Sequence, residues 1–98
     1  MNMFGYETFT TFWQDFSIAE LFGTEAVADT YSRTFKEWKH DYKYLTELVM
    51  VLNWKCWHHN EKRQALSDLY RTLFYNAYDY AIANLHDEEL SYFLTTTD

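Results

Sequence analysis

Between Tyr44 and Trp57 the chain reads YLTELVMVLNWKCW, and ten of these fourteen residues are apolar or aromatic. Neither Gly nor Pro interrupts them. Wound as a helix at about 100° per residue, Leu45, Leu48, Val49, Leu52 and Cys56 share one stripe. Met50, Trp54 and Trp57 fall on roughly the opposite side, and only Thr46, Glu47, Asn53 and Lys55 are polar. A helix that is apolar on two faces has to be surrounded, so this stretch predicts a central helix with neighbours on both sides.

The remaining chain supplies those neighbours. Proline is absent and the only glycines are Gly5 and Gly23, which leaves little material for the turns of a sheet. Apolar residues recur at spacings of three and four almost throughout. The expected fold is therefore all-α, a compact bundle of four main helices plus a short helical turn, in a single domain over 1–98.

The main helices are expected at about 8–16, 24–39, 42–58 and 61–85. Phe9, Phe12, Trp13 and Phe16 define the apolar face of the first. Ser17 then resets the chain, with Ser17 and Glu20 fitting a capping box and Phe16 with Leu21 fitting the accompanying staple. The short turn, 18–22, ends at Gly23, and Thr24 is the expected N-cap of the next helix. That helix carries Val27, Tyr31, Phe35 and Trp38 on one side and an Asp29–Arg33 pair on the other. Its stripe runs in phase into the central helix, so 24–58 reads either as one helix or as two. Asp41 can cap, which favours a break near His40–Asp41. Leu66, Leu69, Tyr70, Leu73, Phe74, Ala77, Ala81 and Leu85 form the face of helix 61–85. Asp87 caps a last short helix in which Leu90, Phe93 and Leu94 face inward, and Thr95 to Asp98 are expected to fray.

Charge is distributed unevenly around a net −7. All eight bases lie in residues 33–71, whereas residues 1–32 and 72–98 carry five acids each and no base. The preferred reading folds acidic ends over a basic middle and neutralises it. The other reading joins the two ends into one negative surface. A net acidic chain does not suit direct contact with nucleic acid or an anionic membrane. Lys36, Lys39, Lys43, Lys62 and Arg63 are diluted by Glu37, Asp41 and Glu61, and read as a solvated face.

No catalytic constellation stands out. Cys56 and His59 are the nearest thing to a metal pair, with His58 adjacent and His40 and His86 elsewhere, but structural zinc wants four ligands. Cys56 sits mid-helix in an apolar stripe, where a thiol is inert. The single cysteine precludes an intrachain disulfide and suits a reducing compartment. The N-terminus lacks the pattern of a secretory signal, and no apolar run has the length of a membrane span. A soluble cytoplasmic protein is expected, with no metal, cofactor or small-molecule ligand.

These readings point to a non-catalytic protein that binds another protein or its own copy. The alternative is an acidic decoy that occupies a nucleic-acid-binding protein. For the interaction surface, the first helix is expected to cover the Met50–Trp54–Trp57 face. The short C-terminal helix leaves Tyr75, Tyr78 and Ile82 partly exposed, flanked by Arg71 and Asp79, and aromatic side chains with a charged rim suit an interface.

Overall fold

A computed structural model describes residues 15–57 and 64–97, all of it helix and short connection. The order is α1 (Asp15–Phe22), α2 (Thr24–Trp38), α3 (Tyr42–Trp57), α4 (Gln64–Asn84) and α5 (Glu88–Thr97). The protein is all-α, and α3 is its centre. It packs most extensively against α4 and also meets α2 and α5. Leu45, Leu48, Val49, Leu52 and Cys56 are all buried, as the stripe predicts.

The connections follow from single residues. α1 stops at Gly23, whose φ of 88° and ψ of 166° lie in a region open essentially to glycine alone. The same residue stands at the N-cap of α2, so Thr24 is already helical and is not the cap. One residue without a side chain serves both ends, leaving no room for a separate capping turn. Between α2 and α3 the chain breaks at Lys39–Asp41. There the Lys43 amide donates to Asp41 Oδ1 at 2.9 Å, an N-cap that starts α3 and settles the choice between one helix and two.

Two further boundaries differ from expectation. α1 runs through Ser17 without a reset. Serine costs a helix only a few tenths of a kcal/mol relative to its better formers. Tertiary contacts of Asp15 and partial burial of Phe16, Ile18 and Ala19 override that small preference. At the other end, α5 continues to Thr97 instead of fraying from Thr95. The Thr96 and Thr97 hydroxyls each donate to the carbonyl four residues earlier, at 2.7 Å, which occupies groups that would otherwise turn to water. The expected helix over 8–16 lies, except for its last two residues, outside the described residues.

The core has two parts. One gathers Val27 and Tyr31 of α2, Leu48, Val51, Leu52 and Cys56 of α3, and Leu66 and Tyr70 of α4. The other gathers Leu45, Val49, Ala77, Ala81, Leu85 and Phe93. Phe35 and Phe74 pack against both.

Candidate functional site

The most unusual chemistry in the molecule is inside it. Asp15 is the one fully buried residue of α1, at 4% exposure, and its Oδ2 is met from three other helices. From α2 the Tyr31 hydroxyl donates at 2.6 Å. From α3 the Lys55 ammonium donates at 2.9 Å, forming a buried ion pair. From α4 the Tyr70 hydroxyl donates at 2.9 Å. The Lys55 ammonium also lies 5.3 Å from the centroid of the Tyr70 ring, which meets the Tyr31 ring edge-on at 6.0 Å. One ring thus flanks the cation, and two hydroxyls share its anion.

The environment acts strongly on these groups. Burial, and then the adjacent Asp15 carboxylate, push the Tyr31 phenol well above its ordinary range, so it stays a donor. Among the described residues no buried side-chain polar atom lacks a partner. A buried charge pair survives only when its remaining hydrogen-bonding capacity is filled this way.

Sequence reasoning missed this cluster. Lys55 and Thr46 count as polar interruptions of the central helix, yet both are buried. Thr46 satisfies itself locally by donating to the Tyr42 carbonyl at 2.6 Å. Lys55 needs a partner forty positions away, which periodicity cannot supply. Two signals pointed toward it. Tyr31 and Tyr70 both sit in apolar stripes, and a buried phenol needs an acceptor. The N-terminal segment is also acid-only while the middle is basic.

A second site lies on the surface. Trp57 of α3 and Tyr75 of α4 are 77% and 56% exposed. They face a groove of about 180 Å³ that is also lined by Asn53, Cys56, Arg71 and Phe74. The Trp57 indole N–H donates to Asn53 Oδ1 at 3.0 Å, holding the ring across its own helix. Arg71 pairs with Asp68 at 3.6 Å in the open. Burial pushes the Cys56 thiol up, against a smaller opposing effect of Arg71. A thiol held in that form is a poor nucleophile.

The five residues expected to form an interface do not all stand alike. Tyr75 and Ile82 are exposed, and Asp79 and Arg71 lie at the surface beside them. Tyr78 is half-buried, tilted between Phe74 and Phe93 with centroid distances of 5.5 and 5.3 Å. Trp57 departs from expectation more sharply. The sequence places it on a face covered by the helix over 8–16, most of which lies outside the described residues, yet it is 77% exposed, and Met50 is 42% exposed. The hydrogen bond to Asn53 gives the indole a polar anchor at the helix surface, so burial is not needed to satisfy it.

Among the described residues no three His, Cys, Asp or Glu side chains are grouped to hold a metal ion, and His58 and His59 lie outside those residues. No described helix is long and apolar enough to cross a membrane. No protein-family model matches this chain, and no curated protein or solved structure matches it either.

Proposed function

We propose that this is a small acidic, non-catalytic protein that engages a protein partner or a second copy of itself through the Trp57–Tyr75 surface. The observation that carries this reading is two large exposed aromatic side chains on adjacent helices, flanking one groove beside an arginine. Trp, Tyr and Arg are the side chains most enriched where binding energy concentrates. The Trp57 ring is already tethered, so it loses little freedom on being covered. Ile82 and Asp79 extend the same helix beyond the groove, and Tyr78 is in tilted contact with Phe74, which lines it.

The test is a Trp57→Ala, Tyr75→Ala double variant. Both side chains are exposed, so its denaturation midpoint should stay near that of the native chain. Self-association, followed by light scattering, or capture of a cellular partner should be lost. Retention of both would discard this surface. If charge reversal at the exposed Glu88 and Glu89 abolished capture while the aromatic variant did not, the acidic-decoy reading would replace it.

A further inference from the structure

Between α2 and α4, with α3 beneath, lies a cleft of about 280 Å³ that shares no residue with the Trp57–Tyr75 groove. Leu48 and Leu52 of α3, four apart on one face, and Ala77 of α4 form its floor, and all three are buried. Phe35 of α2 and Leu73 of α4, both half-buried, form its sides. Ser32 and Asn76 add a hydroxyl and an amide at the rim.

The charges on this cleft are of one sign. Lys36 and Lys39 line it from the C-terminal end of α2, and among the described residues no acid does. The Lys39 ammonium lies 5.8 Å from the centroid of the Tyr80 ring, which meets Phe35 edge-on at 5.3 Å. The cation is thereby held beside one wall of the cleft. Among the described residues neither lysine is in an ion pair. Cations suit a helix C-terminus on electrostatic grounds alone, which accounts for their sign but not for an apolar cleft at their side. In the sequence both lysines read as part of a solvated face, because spacing along α2 does not reveal what α4 brings alongside.

We propose that this cleft binds a small amphipathic organic anion, with its hydrocarbon part on Leu48, Leu52 and Leu73 and its anionic head between Lys36 and Lys39. In a chain of net charge −7, a cleft whose only charges are positive is where an organic anion meets least repulsion. Its volume is at the lower end of small-molecule sites, which run from roughly 300 to 1,000 Å³. That suits a medium-length chain or a single ring system. A partner helix, about 10 Å across, is too wide for it.

The probe is octanoate, with 1-octanol and octylammonium as controls of like length and different charge. Octanoate should shift the methyl resonances of Leu48, Leu52, Leu73 and Ala77 in a saturable way, and should bind more tightly than either control. A Lys36→Gln, Lys39→Gln variant should weaken octanoate by about tenfold and leave octanol unchanged. Neither lysine is buried, so the denaturation midpoint should stay near that of the native chain. The variant leaves Trp57 and Tyr75 untouched, so its outcome is separate from that of the aromatic surface. Equal binding of octanoate and octanol, or octanoate binding unchanged in the double variant, would overturn the anionic head. Absence of saturable shifts at these methyls, or shifts around Trp57 in their place, would overturn the site.

Discussion

The two parts of the core solve the same packing problem with different materials. Around Tyr31, Leu52 and Tyr70 the interior is built on an ion pair and two phenols. Around Val49, Ala81 and Phe93 it is apolar side chains alone, closed by rings in edge-on and tilted contact, with Phe35 against Tyr80 at 5.3 Å. The polar end has directional bonds that are satisfied in one arrangement only. A one-residue slip of α3 would present Trp54 or Cys56 to Asp15 in place of Lys55. The apolar end has no such requirement, because dispersion and burial tolerate neighbouring arrangements of similar volume. The difference teaches that one end specifies register while the other supplies bulk.

That contrast breaks most readily at Asp15. Replacing it with Ala removes the carboxylate that a buried ammonium and two hydroxyls share, and should cost about 3–5 kcal/mol in chemical denaturation. Replacing the whole cluster together, as Asp15→Leu, Lys55→Met, Tyr31→Phe and Tyr70→Phe, should recover most of that loss, because no charge is then left alone. A single substitution as mild as a surface change would show that the cluster does not hold α1.

Alkali should find the polar end next. The Tyr31 phenol is raised in the folded state, so the folded chain keeps a proton that the unfolded chain releases near pH 10. Stability is therefore full below about pH 10 and falls above it, by about 1.4 kcal/mol per pH unit for this group. Denaturation midpoints of native chain and Tyr31→Phe measured from pH 8 to 11 should diverge, with the native chain falling more steeply. Parallel curves would remove Tyr31 from the account.

The apolar end should be more forgiving. Phe93 is fully buried, yet Phe93→Leu keeps most of its volume and should cost less than about 1.5 kcal/mol in the same assay. A loss matching Asp15→Ala would erase the distinction between the two ends. Smallest of all should be Asp41→Ala, at about 1 kcal/mol, since it removes one exposed cap and touches neither part of the core.

What could be read from the sequence follows the same division. The apolar end was legible because stripes of three and four place Leu45, Val49, Ala77 and Phe93 inward without knowledge of any partner. The break at Asp41 was legible because a cap is a local bond between residues two apart. The polar end was not. Lys55 in an apolar helix looks like a solvated position until Asp15 is brought to it by the packing of α1, and no local rule carries that information. Ser17 and Thr24 misled for a related reason, since a capping preference worth about 1 kcal/mol yields to tertiary contacts or to an adjacent glycine. Trp57 misled because size and hydrophobicity suggest burial, whereas its indole N–H has found a partner at the surface.

Phe35 and Phe74 each touch both parts of the core, and this binds the fates of the two ends. Neither end can loosen without withdrawing contacts from a ring that the other also uses. Heat should therefore find no half-melted state to populate, and calorimetric and van't Hoff enthalpies should agree within error for the native chain. Trimming these two side chains to alanine would be the way to let the ends melt at separate temperatures.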